Sequence, residues 1–304
     1  MNNSKTTNRI LLCFCMLLWG SLGLFTRNIN LSGIELAFSR AFFSIPILFI
    51  FRKIKNNKRS KIPKKIFLYY LFSGALIGCA WTGLFNAYEY TTISNAVLIY
   101  NMCPVYVIIL SHFLLNEKIT VTKIITILGC FGGLILLINN EIDLTSISAS
   151  GVTWALFSGM IYAIIVIMNK KANSFNIKID SITITLIQFL GATIILLPSQ
   201  LLNNSFTHII NLNSKEISLL IILIVLHTAF TYIIYFEMYK RLSAIEIVSF
   251  SYLEPLFAIF LSILVLRESM YTNQILGGLL ILGFTFYGEF YKSNKKNQLS
   301  FSEK

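Results

Sequence analysis

The chain has 304 residues, of which 56% are apolar and only 12% are charged, and its mean hydropathy is +0.72. Because soluble domains carry about 25% charged residues, these values exclude an ordinary soluble fold. The net charge of +12 does not indicate nucleic-acid binding, since lysine and arginine also concentrate beside the cytoplasmic ends of membrane helices, against anionic lipid headgroups.

Uncharged apolar blocks recur along the chain, and each is long enough for the roughly 20 residues that cross a bilayer. They predict ten transmembrane helices at 10–27, 33–51, 66–88, 94–115, 121–139, 150–169, 180–197, 217–239, 244–266 and 271–291. We therefore expect an all-α integral membrane protein with a five-helix unit at 10–139, a second at 150–291 and a tail at 292–304.

The basic residues predict the orientation of these helices. Eight of them lie in the segment Arg52–Lys65, which contains no acid. If both termini are cytoplasmic, 21 of the 25 basic residues face the cytoplasm. We expect a multi-pass protein of the cytoplasmic membrane whose tail is cytoplasmic. An odd number of helices per unit makes the second unit enter the membrane inverted.

The two units share a repeat. Pro104 precedes Glu117 by thirteen residues, and Pro255 precedes Glu268 by the same distance. One offset of 151 also pairs Tyr88 with Tyr239, Val97 with Val248, Ile108 with Ile259, Ser111 with Ser262, Leu115 with Leu266, Leu128 with Leu279 and Gly132 with Gly283. Inverted repeats of apolar segments are typical of secondary transporters, whose substrate site lies near the bilayer midplane.

The repeated strings NMCPVYVIILSHFLLNE and YLEPLFAIFLSILVLRE resemble the EamA repeat of the drug/metabolite transporter superfamily. The strings MLLWGSLGLFTRN and ELAFSRAFFSIPILF, the second of which contains Arg40, are similar to that family as well. The resemblance covers residues 10–291. It implies ten helices with both termini inside, a central cavity between the two halves, and transport of small metabolites, with amino-acid export common among members.

Glu254 is the clearest candidate for a transport residue. An ionised side chain at the centre of a membrane helix costs about 2.5–3.5 kcal/mol and usually faces the bundle interior. Pro255, which follows Glu254, removes a helical hydrogen bond and bares a carbonyl. The carboxyl group could bind a substrate ammonium or exchange a proton. The alternative is a structural glutamate bonded to a neighbouring helix.

Two further ionisable residues lie within predicted helices. Arg40 suits a substrate carboxylate because its planar fork donates two parallel hydrogen bonds, although an ion pair with a nearby acid is an equal alternative. His227 is a candidate for a proton relay. A hydrogen bond between helices is the alternative for His227.

Aromatic and helix-breaking residues complete the candidate set. Trp19 and Trp81 lie near mid-depth instead of at the interface, where tryptophan normally anchors, and Tyr100, Asn101 and Tyr252 lie at similar depth. They could line a cavity for an apolar or cationic substrate or pack between helices. The repeat residues Pro104, Pro255, Glu117 and Glu268 are predicted to have gating or structural roles.

We expect a secondary transporter that exports an amino acid or similar small metabolite by alternating access, with proton coupling through Glu254 or His227 as an option. A multidrug or cationic-compound exporter is the alternative, and a membrane enzyme acting on lipid is a distant one. We expect no cofactor, metal or nucleic-acid partner, because no nucleotide loop, catalytic cluster or metal-ligand spacing is found. Monomer and homodimer stay open, since Gly129–Gly133 and Gly278–Gly283 could pack within one chain or between two.

Overall fold

The structure is a computed structural model that describes residues 2–54, 62–138, 147–172, 175, 179–242 and 244–302. Within these ranges the chain is almost entirely helical and contains no strand, which confirms the all-α class for this part. Eight helical stretches are long and apolar enough to cross a membrane: Thr6–Thr26, Gly33–Ile54, Lys64–Tyr90, Ile93–Leu115, Val121–Ile138, Ala149–Asn169, Ser181–Leu202 and Ser214–Met238. Leu253–Leu266 is a shorter apolar helix.

All ten predicted spans fall on helices. In chain order these are α1 (Asn2–Gly20), α2 (Leu22–Thr26), α3 (Gly33–Ile54), α4 (Lys64–Tyr90), α5 (Ile93–Tyr100), α6 (Cys103–Leu115), α7 (Val121–Ile138), α8 (Ile147–Ala172), α9 (Ser181–Leu202), α10 (Ser205–Ile210), α11 (Ser214–Ile222), a π-helix (Leu223–Phe230), α12 (Thr231–Arg241), α13 (Ala244–Ser251), α14 (Leu253–Leu266) and α15 (Thr272–Ser302). Residues 55–61 of the predicted basic loop and 139–146 of the predicted linker lie outside the described residues.

Two segments that lie outside the ten predicted spans, one between spans and one after the last, are helical in the structure. Helix α15 continues to Ser302, so that most of the predicted 292–304 tail is helical. The predicted loop at 199–215 contains the short helix α10. Before it, Asn204 adopts φ 50°, a left-handed conformation that asparagine tolerates better than most residues. The chain therefore reverses there and forms one more helical turn.

The predicted fourth and ninth spans are each broken near their middle. The first break lies between α5 and α6 at Asn101–Met102, and the second lies between α13 and α14 at Tyr252. Each break is followed within three residues by the repeated proline, Pro104 or Pro255. Proline has no N–H to donate and its ring crowds the preceding turn, so the break falls just before it.

The repeat is visible in backbone geometry. Helix α6 ends at Asn116 with φ 54°, and α14 ends at the equivalent Arg267 with φ 56°. After each, the repeated glutamate donates its backbone N–H to the carbonyl of Ser111 or Ser262 at 3.2 Å. A residue in the left-handed conformation is a common way to end a helix, with the N–H groups that follow bonded back to a late carbonyl of the helix. The same sequence unit therefore closes its helix in the same way twice.

Glycines bring helices from the two halves of the sequence into close contact. On α4, a Cβ at Gly74 would overlap the backbone of Gln188 on α9. Helices α7 and α15 meet where a Cβ at Gly133 would lie 2.7 Å from the Gly277 carbonyl oxygen. Small residues drive such packing in lipid, where the hydrophobic effect between helices is absent. The glycines of α7 thus pack against another helix of the same chain. Whether the protein is a monomer or a homodimer stays a prediction.

Candidate functional site

A cavity of about 370 Å³ lies at the two helix breaks and opens between the two halves of the sequence. It is lined by Trp19, Leu22, Arg40, Trp81, Leu84, Tyr100, Asn101, Cys103, Pro104, Val107, Ser111, Tyr162, Val166, Ile167, Tyr232, Tyr235, Ser251, Tyr252, Glu254 and Pro255. Seven of the eight substrate or coupling candidates, and both repeated prolines, belong to this lining. The remaining candidate, His227, does not.

Each broken helix is approached at its break by a glycine of the other half. A Cβ at Gly20 on α1 would lie 2.7 Å from the backbone carbonyl oxygen of Glu254. A Cβ at Gly159 on α8 would lie 2.9 Å from the carbonyl oxygen of Tyr100. At the first break, Asn101 also donates its side-chain amide to the carbonyl of Val97 at 2.7 Å. The two breaks are therefore held tightly by their neighbours.

Arg40 supplies the positive charge of the cavity. Only 2% of its surface is exposed, and its Nε donates to the hydroxyl of Thr228 at 2.9 Å. The guanidinium carbon lies 4.2 Å from the ring centroid of Trp81 and 5.3 Å from that of Phe85. This cation–π contact stabilises a cation that is removed from water.

Glu254 supplies the negative charge, in the first turn of α14. Among the described residues, no hydrogen bond or ion pair engages its carboxylate, and none joins it to Arg40. Both interpretations of Glu254, substrate or proton binding and a structural role, therefore stay predictions. The two opposite charges face one cavity and remain apart.

Aromatic rings form most of the remaining wall. Trp19 contacts Tyr235 and Tyr232, with ring centroids 4.9 Å and 5.4 Å away. Tyr100 contacts Tyr162 at 5.6 Å. Sequence reasoning missed Tyr162, Tyr232 and Tyr235, because tyrosine is common along this chain. For Tyr232, the polar run of His227, Thr228 and Thr231 just before it was a usable signal of an interior-facing stretch.

His227 is buried between helices, with 1% of its surface exposed. One ring nitrogen, Nε2, lies 2.9 Å from the hydroxyl of Ser21, and the other, Nδ1, lies 3.3 Å from the carbonyl oxygen of Ile222. Its ring also packs against Phe25 at 4.4 Å. The structure therefore places His227 in the interhelical hydrogen-bond arrangement, outside the cavity lining.

Glu268 lies at a helix end, away from the cavity. Its carboxylate accepts from Arg27 Nη1 at 2.8 Å, from the backbone N–H of Ile93 at 2.9 Å, and from both N–H and hydroxyl of Ser94 at 3.2 Å and 3.1 Å. It thus covers the N-terminus of α5, where the helix dipole favours an anion. Its repeat equivalent, Glu117, pairs with Lys123 at 3.3 Å.

A second pocket of about 440 Å³ lies near Arg27 and is lined by Thr26, Arg27, Ile29, Asn30, Leu31, Ser32, Leu36, Phe85, Tyr88 and Glu89. It is one helical turn from the central cavity, because Leu36 lies one turn before Arg40 on α3 and Tyr88 lies one turn after Leu84 on α4. Phe85 and Tyr88 are buried and line this second pocket, and Phe85 also contacts Arg40 of the central cavity at 5.3 Å. In the described part of the chain, no group of three His, Cys, Asp or Glu residues could hold a metal ion.

Known proteins are similar to this chain in sequence and in fold. The EamA-like transporter family model matches residues 8–139 and 149–287. An uncharacterized transporter of Bacillus subtilis (strain 168), YxxF, is 28% identical over 86% of this chain and 82% of its own length. An uncharacterized transporter of Archaeoglobus fulgidus is 25% identical over 97% of this chain and 100% of its own. One crystal structure aligns with a TM-score of 0.62 over 95% of this chain and 98% of its own, at 14% identity, which shows the fold alone.

Proposed function

The chain belongs to the EamA-like transporter family, and we propose that it is a secondary transporter that moves an amino acid or similar small metabolite across the cytoplasmic membrane. The proposal rests on one observation, that Arg40 and Glu254 line the same cavity without pairing with each other. Opposite charges held apart match the carboxylate and ammonium of a zwitterion. The volume of about 370 Å³ lies in the usual range of about 300–1,000 Å³ for small-molecule sites.

The architecture that fits this role has ten crossings in two inverted five-helix units, 10–139 and 150–291, with cytoplasmic termini. Two observations support inversion. Glu268 contacts the start of α5, whereas Glu117 follows the end of α6 and pairs with a lysine. These contacts support a placement of the equivalent ends of the two repeats at opposite ends of the bundle. The basic residues beside Glu117 support a cytoplasmic location for that end.

We propose that the described conformation is a cytoplasm-facing state. From Arg40, the cavity lining continues along α6 to Ser111 and along α8 to Ile167, toward the helix ends that carry Lys118 and Lys171. At the other end, Glu268 joins α14 to α5 and to Arg27. We propose that the halves rearrange around the central cavity, so that it opens alternately to each side.

Coupling to protons is assigned to Glu254 and not to His227. Both ring nitrogens of His227 already lie within hydrogen-bond distance of a partner, the Ser21 hydroxyl and the Ile222 carbonyl oxygen, and His227 does not line the cavity. The carboxylate of Glu254 faces the cavity and has no described partner. It can therefore exchange a proton with water that enters the cavity, and it can bind a substrate ammonium once it is ionised.

Uptake into proteoliposomes tests this proposal. Purified protein is reconstituted, given a mixture of the twenty L-amino acids and common small metabolites with or without an imposed pH gradient, and read by mass spectrometry. We expect Glu254→Gln to lose the effect of the pH gradient and most of the uptake. The control is Glu237→Gln, because Glu237 pairs with Arg241 at 2.8 Å and lies outside the cavity lining. Normal uptake by Glu254→Gln at every pH contradicts the assignment.

Export of cationic drugs is the second candidate, because aromatic rings surround Glu254. Trp19, Trp81, Tyr100 and Tyr232 offer faces that attract cations. Arg40 argues against this substrate class, since it repels a cation in the same space. Growth of expressing cells on amino-acid analogues and on lipophilic cations separates the candidates, because resistance should appear only to the class that is exported.

A further inference from the structure

The guanidinium of Arg40 is held on one edge and one face, and its other edge is left without a partner. Its Nε donates to Thr228 and its face lies on Trp81. Among the described residues, nothing accepts a hydrogen bond from Nη1 or Nη2. A buried guanidinium with a purely structural role would use these nitrogens on carbonyl or carboxylate oxygens. Arg40 itself lines the cavity.

Thr228 reaches Arg40 because a π-helix presents it. The Thr228 hydroxyl donates to the carbonyl of Leu223, five residues earlier, at 2.8 Å. The Thr231 hydroxyl likewise donates to a carbonyl five residues earlier. These side-chain hydrogen bonds have the same five-residue spacing as the backbone hydrogen bonds of the π-helix. A π-helical turn of this kind is rare and frequently marks a functional site.

The direction of the Thr228–Arg40 hydrogen bond is fixed. A hydroxyl has one hydrogen to donate, and that of Thr228 is used on Leu223. Its oxygen can then only accept from Arg40. Rotation of the guanidinium would break this hydrogen bond and remove its face from Trp81. Thr228 and Trp81 together therefore hold the Nη1/Nη2 edge toward the cavity.

We propose that Thr228 is a positioning residue, which orients Arg40 so that Nη1 and Nη2 receive a substrate carboxylate end-on through two parallel hydrogen bonds. Such a fork matches the two oxygens of a planar carboxylate. The inference rests on the proposed transport function and narrows it, because a carboxylate becomes a requirement of the substrate. An amine or amide of the same shape lacks the second acceptor and binds more weakly.

Four proteins test this inference: the wild type, Thr228→Val, Thr228→Ser and Thr231→Val. Valine keeps the shape of threonine and removes the acceptor, whereas serine retains it. Thr231→Val is the matched control, since Thr231 also donates to a backbone carbonyl of the π-helix and makes no described hydrogen bond to Arg40. Each is purified in full length, checked for a monodisperse elution profile, and reconstituted.

Uptake is measured with the twenty L-amino acids, and then with the best-accumulated one and its carboxamide. We expect Thr228→Val to raise the half-saturation concentration by about tenfold or more, with a smaller change in maximal rate. Its preference for the acid over the carboxamide should fall, while Thr228→Ser and Thr231→Val keep it. Equal behaviour of Thr228→Val and the wild type, or equal losses in Thr228→Val and Thr231→Val, overturns the inference.

A second measurement separates this inference from the amino-acid proposal. If the wild type accumulates none of the twenty amino acids, the amino-acid proposal fails. The same four purified proteins are then titrated with pyruvate, succinate and benzoate and followed by thermal unfolding. Stabilisation of the wild type and Thr228→Ser, but not of Thr228→Val, supports a carboxylate site for another metabolite. Absence of stabilisation by every carboxylate overturns the site as well.

Discussion

In the proposed orientation, removing the charge of Glu268 should open the side of the protein that faces away from the cytoplasm. In the described conformation this carboxylate accepts four hydrogen bonds, from Arg27, Ile93 and Ser94. Only 6% of its side chain is exposed. The substitution Glu268→Gln keeps the shape and one acceptor oxygen. The new amide N–H groups then face the hydrogen-bond donors of Arg27, Ile93 and Ser94, and the ion pair with Arg27 is lost.

The size of the effect follows from these contacts. Removing one partner of a buried ion pair costs about 3–5 kcal/mol. The side chain of Arg27 is 31% exposed, so solvent screens part of the interaction, and we take about 2–3 kcal/mol. If these contacts exist only in the cytoplasm-facing state, the ratio of the two states shifts by about 30- to 150-fold.

Cys103 provides the assay, because it lines the cavity and 8% of its surface is exposed. A membrane-impermeant methanethiosulfonate added outside intact cells should label Cys103 faster in Glu268→Gln than in the wild type. Cys103→Ser in both backgrounds gives the labelling that comes from the other cysteines. Glu117→Gln, at the equivalent position of the first repeat, should not increase labelling from outside.

An unchanged rate of outside labelling in a folded Glu268→Gln protein refutes the reasoning. It would mean that the Glu268 contacts are equally strong in both states, or that other groups keep this side closed. Phe85 and Tyr88, which line the second pocket near Arg27, are then the next residues to test.

Two predictions concern helix contacts. Gly20→Ala brings a Cβ to 2.7 Å from a backbone oxygen at the second helix break, so we expect uptake to fall by at least about tenfold; Gly132→Ala, where nothing lies within 4 Å, should transport normally. Equal activity of the two variants contradicts the importance of this close contact. Ser21→Ala removes a buried hydrogen bond to His227, so we expect a loss of about 1 kcal/mol in stability, measured as a lower melting temperature. The pH profile of uptake should stay unchanged, and a shifted profile would return His227 to the proton pathway.

The sequence predicted those cavity residues whose type is unusual inside a membrane helix, whatever residues surround them in the fold. A charge inside an apolar segment is costly wherever it lies, so Arg40 and Glu254 stood out, and both line the cavity. The repeated prolines likewise indicated where helices would weaken. Repetition itself located Glu117 and Glu268 at helix ends, where the structure places both.

Contacts that depend on three-dimensional register could not be predicted. Thr228 resembles any hydroxyl in a membrane helix until the π-helical turn places it beside Arg40. Tyr162 and Tyr235 have the same local sequence character as lipid-facing tyrosines, and only the packing of their helices distinguishes them. The partners of Glu268 lie 174 or more residues away in sequence, beyond the reach of local patterns.

The distribution of tryptophan has a practical consequence. The chain contains three, and Trp19 and Trp81 both border the central cavity, while Trp154 packs against Phe157 elsewhere. Indole fluorescence depends on the polarity and the quenching groups around the ring. A compound that enters the cavity changes the surroundings of two emitters out of three. The protein therefore carries its own optical sensor, and unlabelled compound collections can be screened by emission alone.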